Sequence, residues 1–232
     1  MMQNIGRYLD VRSLVHGAFA VLMCMSLISS LSMRYGHADV PIADTADAIQ
    51  PLGVGARAPR FVVATVTHES FEFDPQNLER PVILLAFRGG WCPFCNMYLA
   101  EMRDVIPEIH SLGVDVLFLS GDRAELLFAS LKNETRQDIE GLNYTILSDA
   151  NAQAAIALGI AFKASDRTLA RRAANGDDIA DSAMVKHGVL PVPSVFAIDK
   201  QGIIQFAYTN PDFRVRLPAD ELLAVAREIA AE

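Results

Sequence analysis

Val82 to Phe87 is an uninterrupted apolar run, and the chain continues Arg88-Gly-Gly-Trp-Cys92-Pro-Phe-Cys95. A continuous apolar run of this length suits a strand covered on both faces, as in a layered α/β protein. The two glycines permit a tight turn, and Pro93 fits the first turn of a helix, where its missing N–H costs nothing. Leu99, Met102, Val105, Ile106 and Ile109 then recur at helical spacing as far as Gly113, which predicts one long helix from 93 to 112. A buried strand that hands over to a helix across a C-x-x-C leaves few folds open.

The rest of the chain alternates in the same way. Phe61 to Val66, Val114 to Leu119 and Tyr144 to Leu147 read as strands. Asp122 to Lys132 reads as a helix opened by an acidic cap, and Ser148-Asp149 as the cap of the Ala-rich segment ending near Gly159. Lys163 to His187 is polar and irregular, a helical insertion and a loop. Ser194 to Ile198 and Ile203 to Tyr208 flank the turn Asp199-Lys-Gln-Gly202, which predicts a hairpin, and Asp220 to Ala230 closes as an amphipathic helix. The pattern predicts an α/β fold with a central mixed sheet flanked by helices.

With 51% hydrophobic residues, the 232-residue chain is too apolar to be disordered, and it is long enough for one buried core. Lys+Arg 20 against Asp+Glu 28 gives a net charge of −8, and no basic cluster offsets it locally. A nucleic-acid partner is therefore not expected. Residues 13–33 carry no formal charge and follow Arg7 and Arg12, while Gly36-His37-Ala38 supplies small residues for cleavage before Asp39. Residues 1–38 read as a signal peptide or a membrane anchor, since about 20 apolar residues can also span a bilayer. Met23 before Cys24 does not fit a lipoprotein signal. Residues 39–51 read as a linker and 52–232 as the domain. Either reading of the leader exports that domain to the periplasm or the exterior, free or anchored through residues 13–33. Cleavage after Ala38 would leave Cys92 and Cys95 as the remaining cysteines.

Cys92 falls at a helix N-terminus, where unpaired N–H groups and the helix dipole favour thiolate over thiol, and Arg88 can add a positive charge. Cys95 lies one turn further, more buried and within reach, so one sulfur is a nucleophile and the other its resolver. A purely structural disulfide across so short a loop would restrain little. Zinc would need two more ligands, and His68, His110 and His187 are scattered without metal-ligand spacing. No metal and no cofactor are expected. Trp91 reads as a packing residue that shields the sulfur.

Gly53-Val-Gly-Ala-Arg-Ala-Pro-Arg-Phe61 and Leu147-Ser-Asp-Ala-Asn151 resemble segments of the alkyl hydroperoxide reductase/thiol-specific antioxidant family, the peroxiredoxins. Phe87 to Asn96, Leu190-Pro-Val-Pro-Ser194 and Phe206 to Phe213 resemble a peroxiredoxin-like branch with a C-x-x-C. The resemblance covers about residues 52 to 230. It implies a thioredoxin fold, Cys92 as the peroxidatic cysteine, Cys95 as the resolving one, and recycling by a thioredoxin-like dithiol donor.

The family's Thr or Ser three residues before the reactive cysteine is Gly89 here, and its Pro seven before is Leu85. Pro193 stands where an Arg often faces the peroxide. It resembles instead the cis-proline of thioredoxins, which would present the backbone of Val192 to a peptide. The buried acid of thioredoxin is replaced by Ala86, and Tyr98 stands where a Glu is usual. Two mechanisms follow from the resemblance. In one, Cys92 reduces a peroxide, passes through a sulfenic acid, and closes a Cys92–Cys95 redox disulfide, with Arg88 supplying the guanidinium. In the other, the pair exchanges disulfides with proteins, guided by Pro193. A non-catalytic binding domain is the third reading, weakened by the intact cysteine pair. Partners would dock beside Trp91 and the Val192-Pro193 turn.

Overall fold

Alternation along strand β3 (Val82–Phe87), which spans the predicted residues, divides the interior into two layers. Ile83, Leu85 and Phe87 pack with Cys92, Cys95, Tyr98 and Leu99 on one face. Val82, Leu84 and Ala86 pack with Leu147, Leu158, Ile160 and Phe196 on the other. All six are buried, and each large side chain so placed contributes about 1.5–3 kcal/mol relative to exposure.

The computed structural model describes residues 41–127, 145–174 and 188–231. Around β3 the strands are β1 (Phe61–Ala64), β2 (Ser70–Phe73), β4 (Asp115–Ser120), β5 (Thr145–Ser148), β6 (Ala161–Lys163), β7 (Val189–Pro191), β8 (Ser194–Ile198) and β9 (Ile204–Thr209). The helices are α1 (Pro93–Met102), α2 (Ile106–Ser111), α3 (Gln153–Ala157), α4 (Asp166–Ala174) and α5 (Ala219–Ala230). Seven strands form one sheet in the order β2-β1-β5-β4-β3-β8-β9, and β6 pairs with β7. β3, β4 and β5 are parallel, whereas β8 and β9 run antiparallel as the predicted hairpin. This is the mixed, helix-flanked sheet of a thioredoxin-like fold.

Four local features differ from the sequence reading. The long helix is two helices, α1 and α2, because Pro107 has no N–H for the carbonyl of Arg103 and its ring would strike that carbonyl. Instead Arg103 N–H bonds the Ala100 carbonyl at 3.3 Å, and Pro107 sits in the first turn of α2. β2, β6 and β7 were not expected, since strands of three or four residues carry too little periodicity to read. Phe73 of β2 earns its place in the core by stacking on Phe61 at 4.8 Å. Within the expected linker 39–51, the described chain is fastened to the domain from Ala43 onward. Ala43 N–H bonds Ala161 O at 3.1 Å, and Leu52 N–H bonds Leu158 O at 3.0 Å. The Gln50 carbonyl occupies the space a Cβ would need at Gly159, whose φ is +72°. Finally, the element that follows Asp122 among the described residues is the short 3-10 turn Ala124–Leu126, with Arg123 at its N-terminus, and the Asp122 carboxylate accepts from Gly90 N–H.

Asp149 does cap. Its carboxylate accepts from Ala154 N–H at 3.0 Å and Ala155 N–H at 2.8 Å, while burial pushes its pKa up to about 6 against those bonds. The expected leader 1–38, residues 128–132 of the expected 122–132 helix, Tyr144 and the loop to His187 lie outside the described residues.

Candidate active site

The cysteine pair sits at the carboxyl ends of the parallel strands β3 and β4, where open α/β sheets place their ligands. Two loops meet there, 88–91 after β3 and 121–122 after β4. At Gly121 a Cβ would lie 2.9 Å from the Arg88 carbonyl, so the residue type sets how close the loops come. Gly89 has φ +140°, and a Cβ there would lie 2.5 Å from both Asp122 Oδ1 and Trp91 Nε1. The position that carries Thr or Ser in the resemblance therefore has no room for one here.

Polar groups then fix the turn. Gly90 N–H donates to Asp122 Oδ2 at 2.8 Å, and Ser148 Oγ donates to the Asp122 carbonyl at 2.7 Å. The amide of Asn96 donates to the carbonyls of Gly90 and of Cys92, the latter at 3.1 Å. Asp122 and Asn96 are both buried. Sequence reasoning missed them as site residues. Asn96 stood inside the motif, four residues after Cys92, where a side chain can turn back along its own helix. Asp122 read from the sequence only as a helix cap.

Cys92 is the N-cap of α1, and its carbonyl accepts the N–H groups of Cys95 and Asn96 at 3.0 and 3.1 Å. Both cysteines are free thiols and both are 1% exposed, and burial weighs most heavily on Cys95. The pKa of Cys92 falls to about 6. The largest cause is a hydrogen bond from the Cys95 thiol, followed by the opposing effect of burial. The Cys95 backbone N–H and the charges of Arg88 and Arg216 add to the lowering. Cys95 is pushed the other way, well above an ordinary thiol: burial holds its proton on, and so do the hydrogen bond it gives Cys92 and that residue's charge. Arg216 works against this rise. One sulfur is thus acidic and the other is its hydrogen-bond donor, which is the division of roles a C-x-x-C pair requires.

Arg88 stacks between two rings, its guanidinium carbon 5.3 Å from the Trp91 ring centre and 4.5 Å from that of Phe213. Phe213 in turn meets Phe94 edge-on at 5.5 Å. Arg216, which sequence reasoning also missed, donates from Nη2 to Cys95 Sγ at 3.7 Å, a reach suited to sulfur. No local signal could have found it, since 121 residues separate the two. The structure thus gathers Cys92, Cys95, Arg88 and Trp91 into one cluster.

The other two expected residues fare differently. Pro193 lines a cavity of about 10 Å³ beside Cys95, Tyr98, Tyr208 and Arg216. Its peptide bond is trans, as are all others among the described residues, so the cis-proline expectation is corrected. Val192 is 1% exposed, its N–H bonds Ile160 O at 2.9 Å, and its carbonyl accepts from Ser194 Oγ at 2.9 Å. A backbone already paired on both sides offers no edge to an extended peptide. The docking role expected of Val192 is therefore corrected too. No group of three or more metal-ligating side chains occurs among the described residues.

Comparison with known proteins places the chain among thiol oxidoreductases. Thiol-disulfide oxidoreductase ResA of Bacillus thuringiensis (strain Al Hakam) is 23% identical over 153 residues, 66% of this chain and 68% of that protein. Peroxiredoxin Bcp of Escherichia coli (strain K12) is 29% identical over 112 residues, 48% of this chain and 67% of that one. Among solved structures, a peroxiredoxin-like protein from Aquifex aeolicus superposes with a TM-score of 0.59 at 19% identity, covering 78% of this chain and 89% of its own. The family model for AhpC/TSA matches residues 54–207, and with two thirds of its length inside that match the chain belongs to the AhpC/TSA family.

Proposed function

We propose that this thiol oxidoreductase reduces hydroperoxides. The observation that carries the reading is a Cys92 held as thiolate, with a pKa of about 6, in a place only 1% exposed. A small oxygen electrophile fits such a place better than a protein disulfide does, and the Val192 edge that would hold a peptide is already paired. The Cys92 thiolate attacks the distal peroxide oxygen. The O–O bond breaks, the alkoxide leaves and takes up a proton, and Cys92 becomes a sulfenic acid. Cys95 then attacks that sulfur, the S–O bond breaks, and water departs as the disulfide forms. A thioredoxin-like dithiol donor reduces the disulfide and is itself oxidised. It reaches the pair from the half-buried Trp91, beside Phe94 and Met97, which are 36% and 59% exposed. Arg88 supplies positive charge at Cys92, and Pro193 shapes the wall behind Cys95. The uncharged run 13–33 supports an exported domain, anchored or released.

The full chain without its leader should consume hydrogen peroxide with a thioredoxin system faster than it reduces insulin disulfides. In Cys95→Ser, one equivalent of peroxide should leave a trappable sulfenic acid on Cys92, and turnover should stop. The likeness to a thiol-disulfide oxidoreductase, together with a Gly89 that cannot host a hydroxyl, favours a second reading, protein-disulfide exchange. Under that reading the same variant accumulates mixed disulfides and meets peroxide no faster than a simple thiol. A reporter active only after export, fused to residues 1–50 and compared with 39–50, tests location.

A further inference from the structure

The segment between β9 and α5 brings Arg216 back over α1. Leu217 beside it is buried in the core, whereas Val215 on its other side is 45% exposed, so Arg216 stands at the edge between interior and solvent. From there it donates to Cys95 Sγ at 3.7 Å, with its guanidinium carbon 6.0 Å from the centre of the Tyr98 ring. Its other terminal nitrogen bonds the Val215 carbonyl at 3.2 Å, which fixes the direction of the fork. Arg88 is committed elsewhere, between Trp91 and Phe213.

We infer that Arg216 is the catalytic residue of the resolving step, carrying the negative charge of the Cys95 sulfur as that sulfur attacks, and later leaves, Cys92. The inference deepens the proposed function and rests on its assignment of Cys95 as the resolving thiol. Three influences keep the proton on Cys95 in the reduced protein: burial, the hydrogen bond to Cys92, and the charge of Cys92. The last two vanish once Cys92 is a neutral sulfenic acid. Burial alone remains, and a buried thiolate needs a counter-charge. Arg216 is in contact with the atom that must carry the charge. In closure, Cys95 gives up its proton to the departing hydroxyl, the S–S bond forms, the S–O bond breaks, and water leaves. In reduction, the donor's thiolate attacks Cys92, the S–S bond breaks, and Cys95 leaves as a thiolate against the same guanidinium before it is protonated. The pair is therefore activated in sequence, Cys92 through Cys95 and then Cys95 through Arg216.

The test uses the full chain carrying Cys24→Ser. Trp91, the one tryptophan, reports two fluorescence steps after hydrogen peroxide is added: oxidation, which scales with peroxide, and closure, which does not. Arg216→Met should slow closure about tenfold near neutral pH and move its pH profile up by about one unit, with a smaller effect on oxidation. Arg216→Lys should restore most of the rate. A second arm loads Cys92 with nitrothiobenzoate as a mixed disulfide and follows release of the coloured thiolate as Cys95 attacks. Peroxide plays no part in that arm. If oxidation is absent but release is slowed by Arg216→Met, the peroxidase reading falls and the role of Arg216 stands. If closure and release both keep the parent rate and pH profile, the role of Arg216 falls. Should Arg216→Met fail to fold, Arg216→Gln is judged by the same criteria.

Discussion

The acidity of Cys92 is assigned above chiefly to its neighbour rather than to the helix end, and Cys95→Ala separates the two. The fall from the ordinary 9.0 to about 6 amounts to roughly three units, or ~4 kcal/mol of preference for thiolate. The largest cause is the hydrogen bond from the Cys95 thiol, and that donor disappears in Cys95→Ala. The Cys95 backbone N–H, Arg88 and Arg216 remain. The variant should therefore titrate well above 6, all the more because burial still opposes the thiolate, and the thiolate fraction near neutral pH should drop well below the parent's ~90%. Cys95→Ser, which keeps a hydroxyl donor at the same place, should fall between the two. Arg88→Met should raise the pKa less than Cys95→Ala does, because its charge ranks below that hydrogen bond. Thiolate absorbance against pH, in a Cys24→Ser background, reads all four proteins directly. If Cys95→Ala still titrates near 6, the helix terminus and the arginines hold the charge by themselves, and the neighbour-based account is wrong.

Three further outcomes follow from the same contacts. Between about pH 6 and 9 the unfolded chain holds a proton on Cys92 that the folded reduced protein does not, so stability from this group is full above 9 and lost as pH falls through 6. Urea unfolding should show that rise with pH in the reduced protein, and it should be missing once the disulfide has formed. Gly89→Thr meets Asp122 and Trp91 and a φ of +140°, so it should destabilise the fold by about 2–4 kcal/mol rather than improve the peroxidase, as thermal unfolding and peroxide rates would reveal. Asp122→Ala orphans the Gly90 N–H and should cost about 1–3 kcal/mol while loosening the turn, visible as faster amide exchange at Gly90.

What the sequence made legible was what is local. β3 and β8 fall on their predicted residues because a run buried on both faces has abrupt polar limits. The hairpin turn was readable from Asp199 and Gly202, and the helix start behind Cys92 from Pro93. The break at Pro107 was also local, but the apolar spacing runs straight through it, and periodicity outvoted the proline. Ala43 pairing with Ala161, and Arg216 reaching Cys95, are contacts between segments more than a hundred residues apart, and neither end carries a mark of the other. Val192 and Pro193 were read by analogy with thioredoxin. Only the backbone pairing with Ile160 and Ser194 revealed that the edge was occupied.

The departures from the family pattern form one connected arrangement. A thiolate buried behind Trp91 needs a donor, and the place three residues before it cannot provide one. Gly89 must stay bare because Asp122 and Trp91 fill the space where its side chain would go. Asp122 is there because the turn needs an acceptor for Gly90 N–H at the close approach of two loops. The donor consequently comes from the other side, from the thiol of Cys95. A cysteine used as a donor is harder to ionise for as long as it donates, and burial makes it harder still. Under the proposed function, such a pair would stall after the first oxidation unless a charge waited at the second sulfur. The guanidinium that meets this need comes from the segment before α5, since the Pro193 position holds a side chain that cannot carry charge. Bare glycine, buried aspartate, donating thiol and distant arginine thus depend on one another, and restoring one family residue alone should damage the site rather than repair it.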